Sequence, residues 1–192
     1  MEINKTARAA AAGLTLSLAG FAGYVAYEGY SATATPPVKG DVPTYGFGTT
    51  RSPDGKSLKG GEIITATEAV RLAVRDVTTH ESGLKRCMGD VKLTQNEFDA
   101  LMSLALNVGP TAVCNSSIPA KGRAGDYEAM CKAILDFDKY CTQPKTRNSA
   151  GKLVCPPGAL KPLKGLTARR KKEYLHCIGL AEAGTSLRQE LK

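Results

Sequence analysis

The sequence lacks the patterns that mark most metal-binding and nucleic-acid-binding proteins. It has no Cys-x-x-Cys pair, and only His80 and His176 could add nitrogen ligands, so we expect no metal site. It also has no zinc finger, no basic zipper and no aromatic pattern of an RNA-binding sheet, which argues against a nucleic-acid partner. No internal repeat occurs, and no motif calls for a cofactor.

Among the features that the sequence does have, an excess of positive charge is the most general. The formal net charge is +8 over 192 residues, which is enough chain for one medium domain and a short appendage. Such a charge suits an anionic partner, namely nucleic acid, lipid headgroups or cell wall, although a solvated basic surface would give the same composition.

The cysteines all lie after position 86. An even number of them downstream of an apolar N-terminus is typical of disulfides made in an oxidising compartment; reduced thiols in the cytosol are the alternative. The spacing does not decide the pairing, but Cys141 and Cys155 bracket a loop rich in Pro, Lys and Gly and could clip it. The candidates are Cys87, Cys114, Cys131, Cys141, Cys155 and Cys177.

An uncharged run, residues 9–27, follows Lys5 and Arg8. As a helix with roughly 1.5 Å per residue it would span about 28 Å, enough for a bilayer core. The basic residues before it favour a cytoplasmic N-terminus and export of everything after it. Ten of its residues are Ala or Gly, so the helix gains little from lipid and could leave it again. A stable anchor and a cleaved signal peptide remain alternatives, and cleavage after Ala34 would remove Glu28.

Turn-forming residues dominate positions 30–61, with short β-prone pieces such as residues 42–50 between them. Helical signals begin after this stretch. Thr65 with Glu68 and Thr94 with Glu97 have the spacing of capping boxes, and Gly109 with Pro110 ends the second helix. Two further helices are predicted over residues 126–140 and from Thr167 past Cys177.

The predicted fold class is therefore α+β. A small hairpin lobe, residues 28–61, packs against a mainly helical lobe, residues 62–192, with a cleft between them. An apolar helix in residues 1–27 precedes both. Glu28 stands between this helix and the hairpin lobe, where a partly desolvated carboxyl could act as a general acid; alone, it would be an ordinary solvated charge.

Four segments in order give the chain a family resemblance. Together they resemble the phage-type lysozymes, glycoside hydrolase family 24, over about residues 24–182, with a lysozyme-like fold. With the apolar N-terminus, the chain is most similar to the signal-anchor-release endolysins of tailed phages. The segments are "YEGY" at 27–30, "GDVPTYGFGTT" at 40–50, "LTQNEFDALMSLALNVG" at 93–109 and "GLTARRKKE" at 165–173.

The resemblance implies hydrolysis of the β-1,4 bond between N-acetylmuramic acid and N-acetylglucosamine in peptidoglycan. It assigns Glu28 as the catalytic acid and matches Thr44 to a catalytic threonine. The family's second acidic position does not match, because Pro37 or Val38 stands there. Asp41 is the nearest carboxylate, and it either orients the attacking water from a rearranged loop or only shapes a turn.

Further site residues follow from the same resemblance. Gly46 and Gly48 would let a sugar approach the backbone, or else mark a bulge. Asn107 would line the cleft, or else cap its helix. One of Arg169 and Arg170 would support Glu28, unless the two are a solvated pair. Many relatives carry histidine where this chain has Thr49.

The resemblance also implies control by the membrane. While residues 9–27 span the inner membrane, Glu28 sits at headgroup level and cannot line a formed cleft, so the tethered enzyme is expected to be inactive. Release to the periplasm, with a holin or pinholin as partner, would activate a monomeric enzyme. Regulation by disulfide exchange with a cysteine inside the anchor is not expected, because no cysteine precedes Cys87. The alternatives are a lytic transglycosylase, which leaves anhydro-muramic ends, and a catalytically inactive wall-binding protein.

Overall fold

The computed structural model of the chain describes residues 7–36, 42–143, 146–147 and 153–180. The fold combines helices with several small two-stranded sheets. The α-helices are α1 (Leu18–Glu28), α2 (Ala66–Met88), α3 (Gln95–Val108), α4 (Pro110–Cys114), α5 (Ile118–Arg123), α6 (Tyr127–Lys132) and α7 (Lys164–Cys177). The strands are β1 (Ala9–Ala10), β2 (Ser31–Thr35), β3 (Thr44–Gly46), β4 (Lys92–Leu93), β5 (Lys139–Cys141), β6 (Thr146–Arg147), β7 (Leu153–Val154) and β8 (Leu160–Pro162). They pair antiparallel as β1 with β4, β2 with β3, β5 with β8 and β6 with β7.

The predicted helix starts are confirmed. The Thr65 hydroxyl accepts from the Glu68 amide at the start of α2. Thr94 and Glu97 form both halves of a capping box at the start of α3, which satisfies two backbone donors that would otherwise be unpaired. Gly109, with φ +84°, ends α3, a backbone conformation that favours glycine.

Two later helices differ from the prediction. The helix expected over residues 126–140 ends at Lys132 and continues only as a 3₁₀ turn, Ala133–Phe137. Lys139 then begins β5, because its strand pairs with β8, which lies far along the sequence. The last helix begins at Lys164, one turn before the predicted Thr167.

The N-terminal segment is not one helix in this structure, so the prediction of a continuous helix over residues 9–27 is wrong for this conformation. Ala9–Ala10 is a strand, and Ala11–Gly13 is a 3₁₀ turn. Only Leu18–Glu28 is α-helical, and it begins where the Ser17 hydroxyl accepts from the Gly20 amide. In the described part of the chain, none of the helices combines the length and the apolar character needed to cross a bilayer.

Two apolar clusters form the core, and α2 belongs to both. Its first half contributes Ala69 and Leu72 to a small cluster with Tyr45 of the hairpin lobe and with Ile64, which shortly precedes the helix. Its second half joins the large cluster built around α3. Because α2 packs into the core of both lobes, it fixes the position of one lobe relative to the other across the cleft. Fully buried members of the large cluster include Ala11, Leu84, Met88, Phe98, Leu101, Met102 and Leu104.

Disulfides were predicted, and the structure contains three. Cys87–Cys114 joins α2 to α4, and Cys131–Cys177 joins α6 to α7. Cys141–Cys155 closes the hairpin whose first strand is β5 and whose last strand is β8. The composition of the loop between the two cysteines predicted this pair. The base of this hairpin is held to α7, because Asp138 accepts from the Leu163 amide and from the Thr167 hydroxyl.

Candidate active site

Glu28 lies at the junction of the N-terminal helix and the hairpin lobe. It is the last residue of α1, and its side chain is 27% exposed. One carboxylate oxygen, Oε1, lies 3.4 Å from a guanidinium nitrogen of Arg169 on α7. The other faces Gly48, where a Cβ atom would lie only 3.1 Å from Oε2. Glycine is needed there for this close approach and for its φ of +79°.

Arg169 is fixed from several sides. Its Nε lies 3.1 Å from Glu173 Oε1, one turn along α7, and another nitrogen donates to the Ser103 carbonyl at 3.4 Å. The guanidinium carbon stacks 4.2 Å from the centre of the Tyr27 ring. With 7% of its side chain exposed, Arg169 is a pre-positioned cation between α1 and the helical lobe.

Arg170 points to a different partner. Its side chain is fully buried, and its Nε lies 2.8 Å from Glu173 Oε2. Burial raises the pKa of Glu173 and lowers the pKa of Arg170, and the attraction between the two charges opposes both shifts. The idea of a solvated arginine pair is therefore wrong, and Arg169 is the arginine that contacts Glu28.

Tyr24 is a site residue that the sequence analysis did not identify. It lies one helical turn before Glu28 on α1, and its hydroxyl donates to the Phe47 carbonyl at 3.2 Å. Burial, with the nearby Glu28 and Asp76 carboxylates, raises the pKa of Tyr24 to about 12. Tyr24 thus ties α1 to the turn that presents Gly48. Its spacing of four residues from Glu28 was the available signal.

Replacing Tyr24 with Phe is expected to cost about 1 kcal/mol at neutral pH, because the Phe47 carbonyl loses its donor. The raised pKa also predicts a pH dependence. The contribution of the protonated Tyr24 hydroxyl to stability is complete below pH 10, which is the ordinary pKa of tyrosine. It is lost as the pH rises through the raised pKa of about 12. Across this pH range the urea midpoint of Tyr24→Phe should fall less steeply with pH than the midpoint of the parent protein. Tyr140→Phe, on an exposed strand, is the control; equal alkaline slopes for all three proteins would refute the assignment.

Thr49 directly follows the turn that contains Gly48. Its hydroxyl donates to Asp76 Oδ2 of α2 at 3.0 Å, and its backbone pairs with Tyr45 in both directions. The side chain is buried. Thr49 therefore fixes the turn containing Gly48 to α2, which holds this side of the cleft against Glu28.

Three other predicted site residues lie on β3 and α3. Thr44 begins β3 opposite Thr35. Gly46 faces α2, since a Cβ atom there would lie 3.1 Å from the Cβ of Ala69. Asn107 is exposed in the last turn of α3, and Gly109 rather than Asn107 occupies the C-cap. Asp41 lies outside the described residues, as do Pro37 and Val38.

A cavity of about 270 Å³ lies between α1, α3 and α7, beside Arg169. The α1 wall includes Ala19, Gly20 and Gly23. At Gly23 a Cβ atom would meet nothing within 4 Å, so α1 packs loosely there and is held by contacts at its two ends. Asp99 accepts from the backbone and hydroxyl of Ser17 at one end.

Within the described residues, no cluster of His, Cys, Asp and Glu could hold a metal ion.

Comparisons with known proteins agree on one relationship. A family model described as "Phage lysozyme" matches residues 25–173. The endolysin of Salmonella phage P22 is 33% identical over 103 residues, 54% of this chain and 70% of the relative. The SAR-endolysin of Haemophilus phage HP1 is 28% identical over 150 residues, 72% of this chain and 68% of the relative. The solved endolysin from Escherichia coli O157:H7 phage FAHEc1 superposes with a TM-score of 0.66 at 31% identity, covering 86% of this chain and 94% of its own.

Proposed function

Because the chain belongs to the phage lysozyme family, it is a peptidoglycan-lysing glycoside hydrolase, and we propose that Glu28 is its catalytic acid. The observation that carries the assignment is the position of Glu28 between Arg169 and the Gly48 backbone. The substrate bond is the β-1,4 linkage between N-acetylmuramic acid and N-acetylglucosamine. The protein acts as an endolysin, which degrades the wall of its host cell.

The proposed chemistry begins with a proton. Glu28 protonates the glycosidic oxygen, and the sugar–oxygen bond breaks as the leaving sugar takes that proton. Arg169 then lies beside the carboxylate that remains and stabilises its charge. We assign the positioning of the attacking water to Thr44 and Asp41. Gly46, Gly48 and Asn107 remain proposed contacts for the glycan.

The fragments released from purified sacculi test this chemistry. Hydrolysis adds water across the bond and leaves a reducing muramic acid end on each fragment. We expect mass spectrometry of the soluble products to show these ends throughout. Anhydro-muramic ends would instead assign the reaction to a lytic transglycosylase.

We further propose that residues 1–27 form a signal-anchor-release segment, which holds the enzyme inactive in the inner membrane until it enters the periplasm. The contacts of this segment support the proposal. Arg8 forms a bidentate ion pair with Glu97, at 2.8 and 3.2 Å, and stacks 3.8 Å from the Tyr127 ring centre. The Leu16 amide donates to Glu81 at 3.0 Å. Ala11 is fully buried in the helical lobe.

These contacts and a membrane-spanning state exclude each other. If residues 9–27 crossed the bilayer, Arg8 would lie on its far side, away from Glu97. Ser17 could not reach Asp99, and α1 could not deliver Glu28 to Gly48. Release therefore couples folding of the segment to completion of the site, and a holin or pinholin that collapses the membrane potential would trigger it.

Gly23→Leu tests the coupling. A Cβ atom at Gly23 meets nothing within 4 Å, so the released enzyme should tolerate the side chain in the cavity. In the membrane the added apolar surface should favour the tethered form by roughly fivefold, or about 1 kcal/mol. We expect more enzyme in the membrane fraction and delayed lysis.

Gly165→Leu is the matched control, because its Cβ position is also open but lies outside the segment. It should leave fractionation and lysis unchanged. A membrane-bound Gly23→Leu fraction that lyses permeabilised cells as fast as released enzyme would disprove inactivity of the tethered form.

A further inference from the structure

Glu173 is a buried carboxylate that lies between two arginines, and its side chain is 6% exposed. Its Oε1 accepts from Arg169 Nε at 3.1 Å, from Arg170 Nη2 at 3.0 Å and from the Ser103 hydroxyl at 2.7 Å. Its Oε2 lies 2.8 Å from Arg170 Nε. Because an arginine side chain has donors and no acceptor, the surroundings of both oxygens favour the ionised carboxylate.

The helix α7 brings these three charges together. Arg169 and Arg170 precede Glu173 by four and three positions, the spacings at which side chains meet on a helix surface. Among the described residues, Arg170 forms no other ion pair, and it is fully buried. Glu173 is therefore the anion that compensates a pair of buried cations, and one positive charge is left over.

Arg169 connects Glu173 to the candidate active site. Its Nε contacts Glu173, and its Nη1 lies 3.4 Å from Glu28 Oε1. The guanidinium group is planar and rigid, so the contact at Nε also fixes the direction in which Nη1 points. One guanidinium group is thus shared by the two carboxylates.

Other charged and titratable groups surround the two carboxylates in the described part of the chain. Tyr24 of α1 lies near the carboxylates of both Glu28 and Asp76. Asp99 of α3 lines the cavity beside Glu173, as do Lys172 and His176 of α7. All five groups are unchanged in variants of Arg170 and Glu173, so such variants change only the charge balance on α7.

We propose that Glu173 is a positioning residue for the reaction: it aims Arg169 at Glu28, and it cancels one of two buried positive charges so that Glu28 can hold the proton that it donates. This inference rests on the proposed role of Glu28 as the catalytic acid. The single positive charge that remains stabilises the Glu28 carboxylate after proton transfer. Two positive charges would favour that carboxylate before the reaction as well, and the acid would be lost.

The pH dependence of the rate gives the test. Glu173→Gln removes the charge but keeps the size of the side chain and an acceptor oxygen. On the alkaline limb of the pH–rate profile a general acid is lost by ionisation. We expect this limb to move to lower pH by roughly one unit at low ionic strength. The initial rate of solubilisation at low sacculus concentration, measured over a range of pH, gives the profile.

Arg170→Met, alone and combined with Glu173→Gln, makes the test independent of whether one variant folds. Methionine fills much of the buried volume without a charge, and buried ion pairs often tolerate such replacement. The double variant has the same net charge at these positions as the parent, so its alkaline limb should return close to that of the parent. The limb of Arg170→Met alone should lie roughly one unit above the limb of the double variant, because the two differ only in the charge at residue 173.

Glu97→Gln is the matched control, because Glu97 is also a buried carboxylate paired with an arginine, Arg8. It precedes Ser103 on α3 by six residues, about 9 Å along the helix axis. The change should lower the urea midpoint and leave the alkaline limb in place. The proposal would be overturned by a limb that stays in place in Glu173→Gln, by an equal movement in Glu97→Gln, or by a double variant whose limb coincides with that of Arg170→Met.

The outcome is separate from that of the proposed function. If Glu28→Gln solubilises sacculi at the parent rate, the assignment of the catalytic acid fails whatever the profiles show. If Glu28 is required and the alkaline limb does not respond to the charge at residue 173, only the role of Glu173 fails.

Discussion

Glu28→Gln is expected to lower the rate of sacculus solubilisation by about 10²–10⁴-fold, the usual contribution of a general acid. Glutamine keeps the size of the side chain and can still accept from Arg169, but it cannot donate a proton from a carboxyl group. The initial rate of turbidity loss with purified sacculi measures the effect. The urea midpoint of the variant should stay close to the parent, because the side chain is only partly buried.

Glu128→Gln is the matched control. Glu128 lies exposed in the first turn of α6, so the same change there should leave the rate unaltered. A Glu28→Gln protein that is folded and retains more than about a tenth of the parent rate would remove Glu28 from the chemistry.

Replacing Cys131 and Cys177 with Ala should lower the free energy of unfolding by about 4 kcal/mol, the chain-entropy value for their separation of 46 residues. Both sulfurs are in residues that are almost fully buried, so two small cavities add to the loss. The bond also holds α6 against α7, the helix that carries Arg169. The free energy of unfolding from urea curves, with the midpoint and the m value fitted separately, measures the effect.

Cys141 and Cys155, replaced in the same way, provide the comparison. Their bond closes a loop of 14 residues in a peripheral hairpin, so its opening should be mostly local and the global loss smaller. A Cys131/Cys177 variant that is as stable as the Cys141/Cys155 variant would contradict this ranking.

Local chemistry made several elements predictable. Thr65 and Thr94 each place a hydroxyl three residues before a Glu, and both begin helices because the caps need only neighbouring atoms. Gly109 ends α3 for an equally local reason. The hairpin lobe and the Cys141–Cys155 clip also follow from turn residues and loop composition that lie close together in the sequence.

The remaining elements and site contacts depend on residues that are distant in the sequence. Residues 9–13 give up the helix that their composition favours because β1 pairs with β4 and Ala11 enters the helical core. Lys139 becomes a strand because it pairs with Pro162. The choice between Arg169 and Arg170 depended on the rotation of α7 relative to α1. The role of Tyr24 depended on Phe47, and no short-range pattern links those two residues.

The cavity beneath α1 bears on how this protein can evolve. Ala19, Gly20 and Gly23 face that cavity, and under the membrane tethering proposed above the same residues would also have to keep the segment apolar enough for lipid. A larger residue at Gly20 would meet Leu16 and Asp99, and under the same proposal a polar residue would disfavour the membrane-spanning state. Gly20 would then be constrained in both environments, whereas Gly23, whose Cβ position is open, would be constrained only in the membrane, so sequence drift should be narrower at Gly20 than at Gly23.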